Sequence, residues 1–234
     1  MPNFDYLLFD ADGTLLDFEA AERQAFFATA VEFGVDPTEE NLKLYSSING
    51  ALWKQIELGE VTNAELQRLR FTRFLAAVGS GADGIAMNAA YMVNLGKGSQ
   101  LLPGAMDTVR AVAAGHTMAI ITNGLPATQR PRYEGSGLRE VFGDNLFISG
   151  ELGVQKPEKR YFDLVCEKLG IADRSRALVI GDSLSSDILG GNNAGVPTCW
   201  VNTKWWTESG DAQAKARPDY TIRSITELPA LLES

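Results

Sequence analysis

Short, almost uninterrupted apolar runs recur along the chain, and each run ends at a small polar or acidic residue. The runs are 6–9 before Asp10, 118–121 before Thr122, 146–148 before Ser149, 178–180 before Gly181, and 198–201 before Asn202. Runs of this kind are typical of strands that are buried on both faces. Helix-like segments separate most of them, at 105–114, 126–136, 158–169 and 185–194. This alternation predicts an α/β fold with a Rossmann-like parallel sheet core and helices on both faces.

The stretch 18–97 interrupts this alternation, because it shows helical periodicity and no convincing strand. The helices predicted in it are 20–33, 38–58, 62–79 and 82–95. We therefore expect an α/β core domain formed by 1–17 and 98–234, with an inserted all-helical cap domain at 18–97. Ligands of such sheets bind beyond the carboxyl ends of the strands, so the cap would cover the site.

Composition narrows the classes of function. The 234 residues carry a formal net charge of -9, which argues against binding to a nucleic-acid polymer or an anionic membrane, since both need clustered Lys and Arg. Cys166 and Cys199 lie in no metal-ligand spacing and are interpreted as core thiols of a reducing compartment. With no signal-peptide or membrane-helix pattern, we expect a cytoplasmic protein, either monomer or homodimer, that acts on a small molecule.

Two carboxylates follow the first predicted strand in the sequence DADGT (10–14). Gly13 makes a turn easy, so Asp10 and Asp12 can both reach one pocket. One aspartate can act as a nucleophile that forms an acyl phosphate, while a second acid protonates the leaving oxygen and later activates water. Taken alone, the pair is also consistent with an ordinary Asp-Gly turn.

Two further motifs lie near the ends of the second and third predicted strands. In TNG (122–124), Thr122 and Asn123 offer a hydroxyl and an amide to phosphate oxygens, although an ordinary N-cap has the same composition. In KP (156–157), Lys156 can neutralise a phosphate as a point charge, although a solvated surface lysine is the alternative. Each motif alone is a weak indication of phosphate binding.

The motif GDSLSSD (181–187) follows the fourth strand and brings Asp182 and Asp187 to the edge that already holds Asp10 and Asp12. Two carboxylates ~4 Å apart repel each other by about 4 kcal/mol at an effective dielectric constant of about 20. Such a cluster therefore requires a hard cation, and oxygen ligands without His or Cys indicate Mg²⁺. Four motifs in this order at one sheet edge point to phosphoryl transfer.

These four motifs resemble those of the haloacid dehalogenase-like hydrolase superfamily, over essentially the whole chain. The resemblance implies that Asp10 is the nucleophile and a Mg²⁺ ligand, and that Asp12 is the general acid/base, with its backbone carbonyl on the metal. It implies that Asp182 is the remaining direct ligand and that Asp187 supports the metal site or Lys156. Thr122 and Asn123 would then bind the phosphate, and Lys156 would balance its negative charge. Dehalogenating members lack an acid at the position of Asp12, so this residue favours phosphate chemistry.

A closer resemblance is to the bacterial pyrimidine 5'-nucleotidases of this superfamily, although those relatives tend to have Glu at the position of Gly13. The similar segments are NGALW (49–53), LPGAMDTVRAV (102–112), ITNGLPATQRPRYEGSGL (121–138), KPEKRYFD (156–163) and SDILGGNNAGVPTCWVN (186–202). The resemblance implies Mg²⁺-dependent hydrolysis of nucleoside 5'-monophosphates, pyrimidine preferred, through an aspartyl phosphate. Asn49, Trp53 and Lys54 are then candidates for substrate specificity.

Three alternatives remain at this stage. The first is a phosphatase of the same mechanism for another small ester, such as phosphoglycolate or a sugar phosphate. The second is a phosphosugar mutase, and the third is a catalytically silent binding protein on the same fold. The full set of motif acids and the lysine argues against the silent protein, which has no need to keep them.

Overall fold

A six-stranded, all-parallel sheet forms the centre of the fold. The computed structural model describes residues 4–203 and 215–233. The strands are β1 Tyr6–Phe9, β2 Thr117–Thr122, β3 Leu146–Ile148, β4 Ala177–Gly181, β5 Thr198–Val201 and β6 Tyr220–Ile222. They lie in the order β3-β2-β1-β4-β5-β6. The predicted parallel α/β sheet is confirmed, and among the strands of the described residues the sequence-based prediction missed only the short edge strand β6.

Strand β1 lies between β2 and β4 and sets the register of the sheet edge. Phe9 pairs with Ile120 on one side and Ile180 on the other. Successive side chains of a strand point to opposite faces. Accordingly, Leu7 and Phe9 belong to one hydrophobic cluster and Leu8 to another. Burial on both faces explains the uninterrupted apolar runs, and the matched register brings the residues after β1, β2 and β4 to one edge.

Four consecutive helices, here called the helical insertion, lie between β1 and β2. They are α1 Phe18–Glu32, α2 Glu39–Glu57, α3 Asn63–Ala77 and α4 Gly84–Gly96. A short polar side chain caps the N-terminus of each helix by accepting a backbone N–H bond. The capping residues are Asp17, Thr38, Thr62 and Asp83. These caps fix where each helix begins, within two residues of the predicted start.

The helical insertion has a hydrophobic cluster of its own, built largely from aromatic rings. Phe26 packs against Tyr45 with ring centroids 5.2 Å apart and against Phe74 at 5.3 Å. Tyr45 also stacks on Phe71 at 4.6 Å. This cluster is separate from the two that cover the sheet, an arrangement that a separate cap domain would have. The exact domain boundaries stay a prediction.

Among the described residues, α-helices outside the insertion contribute to the hydrophobic clusters on both faces of the sheet. They are α5 Ala105–Val112, α6 Pro126–Gly135, α7 Arg139–Phe142, α8 Ser149–Leu152, α9 Lys159–Leu169, α10 Leu189–Ala194 and α11 Leu228–Glu233. A π-helical turn, Leu184–Ile188, precedes α10, so the segment predicted as one helix has two geometries. Across 4–203 and 215–233, no helix has the length and apolar character needed to cross a membrane.

We predict that the cluster of the helical insertion is needed for its stability. Phe26→Ala removes a fully buried ring from α1 and should lower the free energy of unfolding by about 3–5 kcal/mol. The control is Val31→Ala in the same helix, where the side chain is 67% exposed and the change should stay within about 0.5 kcal/mol. Urea unfolding followed by circular dichroism measures both, and equal losses would contradict the prediction.

Candidate active site

The ammonium group of Lys156 lies at the centre of the site, with a side chain that is only 1% exposed. Its Nζ donates to Asp10 Oδ1 at 2.7 Å, to Asp187 Oδ1 at 2.6 Å and to the backbone oxygen of Ile121 at 2.9 Å. An ammonium has three N–H donors, and each has an acceptor here. The alternative of a solvated surface lysine is therefore wrong for Lys156.

Asn123 fixes the backbone of this lysine. Its side-chain Nδ2 donates to the Lys156 oxygen at 2.9 Å, and its Oδ1 accepts from the Lys156 N–H at 2.9 Å. The reciprocal pair joins the loop after β2 to the loop before α9. Asn123 thus supports Lys156 as well as being a predicted phosphate ligand.

Asp187 is the second acid that binds the lysine, and it is fully buried. Its Oδ2 accepts from the Ser183 N–H at 3.1 Å, while Oδ1 binds Lys156. A Cβ built on Gly181 would overlap the Asp187 carboxylate. Glycine at the end of β4 therefore makes room for this acid.

Three acids converge at the edge of the sheet. Asp10, Asp182 and Asp187 each place one carboxylate oxygen within 4.8 Å of the others. Asp10 Oδ2 is buried and, among the described residues, has no hydrogen-bond partner. A Cβ on Gly13 would overlap the Asp182 carboxylate, so the turn of DADGT fits closely against the third acid. These oxygens fit a hard divalent cation, because the lysine alone does not neutralise three acids.

The electrostatics of the site follow from burial. Burial raises the pKa of Asp10 to about 7, against the opposing charge of Lys156. Burial, followed by the charges of Asp10 and Asp187, raises the pKa of Asp182 well above its ordinary value. For Lys156, burial acts against the charged form, but Asp10 and Asp187 outweigh it and raise its pKa above the ordinary lysine value. A cation at this position would favour the ionised form of both raised acids.

The carboxylate of Asp12 has different partners. Gln129 Nε2 donates to Asp12 Oδ2 at 2.8 Å and also to Thr122 Oγ1 at 2.7 Å. Arg132 Nη1 lies 2.5 Å from Asp12 Oδ1. Gln129 and Arg132 are residues that the sequence-based reasoning missed. Their i, i+3 spacing places them on one face of α6, but nothing in the sequence indicates that this face contacts a residue more than a hundred positions earlier.

A cavity separates this edge from the helical insertion. Its walls include Asn49, Trp53 and Arg70 from the insertion, and Asp12, Asn123 and Arg132 from the sheet side. Lys54 is exposed and is not part of the cavity wall, so the structure does not place it with the other two specificity candidates. The reason is helical geometry. Asn49 and Trp53 are four residues apart and therefore share one face of α2, whereas Lys54 follows Trp53 directly and lies roughly 100° further around the helix axis.

A family model for haloacid dehalogenase-like hydrolases matches residues 4–195. The chain belongs to this family. The resemblance drawn from the four motifs is thereby confirmed, and the enzyme is a hydrolase of the haloacid dehalogenase-like type. The motifs that define the resemblance are the ones that meet at the sheet edge.

Two relatives of this hydrolase match nearly its whole length. It is 36% identical to the pyrimidine 5'-nucleotidase YjjG of Escherichia coli (strain K12), covering 98% of each chain. It is 35% identical to the pyrimidine 5'-nucleotidase PynA of Streptococcus pneumoniae, covering 96% of this chain and 93% of that one.

A solved structure with the same fold is that of the HAD-hydrolase YfnB from Bacillus subtilis bound to magnesium. Its TM-score is 0.92 at 36% identity, covering 99% of this hydrolase and 100% of that chain. That structure is described as revealing interdomain movement. The shared architecture includes both the sheet and the helical insertion.

We predict that the hydrolase binds Mg²⁺ through the acid cluster, with an affinity that rises as the pH increases through 7. Below the pKa of about 7, Asp10 holds a proton that the cation must displace. Above it, the carboxylate is free to bind. Isothermal titration calorimetry should show binding that is tighter at about pH 8 than at about pH 6, by about tenfold for the Asp10 proton alone, because the ionised fraction of a group with a pKa of about 7 rises about tenfold over that interval.

The control pair for this prediction is Asp182→Asn and Asp144→Asn. Asp182 belongs to the acid cluster, whereas the side chain of Asp144 is 93% exposed. Mg²⁺ should raise the melting temperature of the wild type and of Asp144→Asn but not that of Asp182→Asn. An unchanged response in Asp182→Asn would contradict the assignment of the site.

Proposed function

We propose that this hydrolase is a Mg²⁺-dependent phosphatase that removes the phosphate of nucleoside 5'-monophosphates, with pyrimidines preferred. The observation that carries the proposal is the environment of Asp10. One of its oxygens is held by Lys156 at 2.7 Å, and the other is buried without a partner among the described residues. A carboxylate fixed by one oxygen and unpaired at the other is suited to act as a nucleophile.

In the first half of the proposed reaction, Asp10 Oδ2 forms a bond to phosphorus while the bond from phosphorus to the nucleoside oxygen breaks. Asp12 gives its proton to that leaving oxygen. In the second half, Asp12 takes a proton from water, which attacks the phosphorus and breaks its bond to Asp10. Inorganic phosphate leaves, and both acids return to their starting states.

The other motif residues hold the reacting groups. Lys156, Thr122 and Asn123 would bind the phosphate at the ends of the strands, where a substrate of such a sheet is expected. Asp10, Asp182 and the backbone carbonyl of Asp12 would hold Mg²⁺, with Asp187 supporting the site. When bound, the cation would offset the negative charge that a phosphate adds to the acid cluster.

The cavity supports a nucleoside as the leaving group. Trp53 is half-buried in its wall, where an indole face can stack on a base. Asn49 is 3% exposed; its Nδ2 donates to Glu22 Oε1 at 3.1 Å, and its Oδ1 is buried without a partner among the described residues. A free amide oxygen accepts a hydrogen bond, and the N3–H of uracil or thymine is such a donor. The named activities of YjjG and PynA favour the same substrate class.

The mechanism predicts that Asp10→Asn abolishes turnover with the fold intact. An amide is a far weaker nucleophile than a carboxylate, so phosphate release should fall by more than about 1,000-fold. Circular dichroism should show an unchanged spectrum, and Asp144→Asn, at an exposed position, should keep wild-type activity. EDTA should remove the activity and added Mg²⁺ should restore it. A fully active Asp10→Asn variant would contradict the mechanism.

The substrate assignment predicts the outcome of a phosphate-release screen over nucleoside monophosphates, sugar phosphates and phosphoglycolate. UMP, dUMP and TMP should give the highest kcat/KM. Trp53→Ala should lower kcat/KM for them by about tenfold, mainly through KM, because stacking contributes about 1–3 kcal/mol per base. Lys54→Ala, one residue away and outside the cavity, is the matched control. A sugar phosphate hydrolysed faster than every nucleotide would instead favour the same mechanism with another substrate.

A further inference from the structure

Arg132 is a buried charge to which the four motifs give no role. Its side chain is 1% exposed, and it belongs to the largest fully buried side chains of the protein. Removing a guanidinium from water is costly unless the group is paired and hydrogen-bonded. Its partners therefore show what the fold uses this charge for.

On one side, Arg132 holds the acid predicted to move protons. Nη1 lies 2.5 Å from Asp12 Oδ1 and donates to Gln129 Oε1 at 3.1 Å. Gln129 in turn donates from Nε2 to Asp12 Oδ2 at 2.8 Å and to Thr122 Oγ1 at 2.7 Å. Asp12 Oδ2 thus accepts a hydrogen bond from the amide, Oδ1 is in ion-pair contact with the guanidinium, and Thr122 anchors the amide to the end of β2.

On the other side, Arg132 touches both connections between the sheet and the helical insertion. Nε donates to the backbone oxygen of Gly98 at 2.8 Å, just after α4 ends. The guanidinium lies 5.9 Å from the ring centroid of Phe18, the first residue of α1. A Cβ on Gly98 would overlap Ala21, so this connection packs directly on α1. One side chain therefore contacts the place where the chain enters the insertion and the place where it leaves.

We propose that Arg132 is a positioning residue that ties the orientation of the Asp12 carboxylate to the two connections of the helical insertion. The inference rests on the proposed function, in which Asp12 is the general acid/base. A shift of the insertion moves Gly98 and Phe18, and Arg132 carries that shift to Asp12. The second terminal nitrogen, Nη2, is buried and unpartnered among the described residues, so the pair with Asp12 can change from one contact to two as the connections shift.

The test uses two esters of nearly the same shape, 4-nitrophenyl phosphate and phenyl phosphate. The first releases a stable anion that needs little protonation, and the second releases a more basic one. The quantity measured is kcat/KM, which reports transfer of the phosphoryl group to Asp10 and not the later hydrolysis. Loss of a well-placed acid lowers kcat/KM more for phenyl phosphate.

Arg132→Lys keeps the positive charge but loses the fork that reaches Asp12 and Gly98 together. We expect the ratio of kcat/KM for 4-nitrophenyl phosphate over phenyl phosphate to rise about tenfold, approaching the ratio of Asp12→Asn. Arg130→Lys, at an exposed position of the same helix, should leave the ratio unchanged. Equal losses for both esters in Arg132→Lys would show a merely structural role and overturn the inference.

A second variant keeps the inference testable if Arg132→Lys folds poorly. If Arg132→Lys melts below the assay temperature, Gln129→Leu is used instead: it keeps the guanidinium of Arg132 but removes the amide that links it to Asp12 Oδ2 and Thr122, and it should raise the same ratio. An unchanged ratio there would overturn the inference. A wild type that released phosphate from neither ester and not from UMP would overturn the proposed function together with the inference, whereas an unchanged ratio in an active enzyme would overturn the inference alone.

The link to the connections is tested by a double-mutant cycle. Phe18→Leu removes the ring beside the guanidinium and should raise the ratio by less than Arg132→Lys does. With Arg132→Lys already present, Phe18→Leu should add nothing, because the path through the guanidinium is gone. Independent, multiplying effects of the two changes would overturn the coupling.

Discussion

The ion pairs of Lys156 are the interaction on which the rest of the site depends. Its ammonium joins Asp10 after β1, the Ile121 carbonyl in β2 and Asp187 after β4. These contacts fix three strand ends at hydrogen-bond distance around one point. A buried charge network of this kind is costly to form. Its value lies in geometry: it holds the Asp10 carboxylate by one oxygen, and the other has no hydrogen-bond partner within 4–203 and 215–233.

A second network, separate from the first, holds the other acid of the proposed reaction. Asp12 is bound from α6 by Gln129 and Arg132, and Thr122 is the point where this network meets the sheet. Two acids two residues apart on the chain thus have different environments. Asp10 lies in a buried acid cluster beside Lys156, and Asp12 lies against the amide of Gln129 and the guanidinium of Arg132. Differences of this kind let neighbouring carboxylates take different roles in one reaction.

The predictable part of the molecule is the part set by local pattern. Strands buried on both faces leave an unmistakable apolar run, and polar residues after such strands must meet at one edge. The sequence pattern did not reveal strand β6, because Tyr220–Ile222 is three residues long and has a single buried side chain. Arg132 was not predicted as a site residue for a different reason. Its partners are fixed by tertiary packing, and a buried arginine on a helix cannot be distinguished by sequence from a solvated one. Lys54 shows the same limit, because periodicity gives the spacing of a helical face but not the direction in which it points.

These constraints act differently on the residues at the sheet edge and on those of the helical insertion. The lysine at this edge tolerates little change, since removing the Lys156 ammonium would leave the buried carboxylates of Asp10 and Asp187 without this cation. Asn49 and Trp53 lie on a helix whose aromatic cluster is built without residues of the sheet, so they can vary without disturbing the acids. Under the proposed function, a hydrolase of this construction could change the group that it releases while keeping the chemistry of release. Arg132 cannot vary in this independent way, because it contacts both Asp12 at the sheet edge and the connections of the helical insertion.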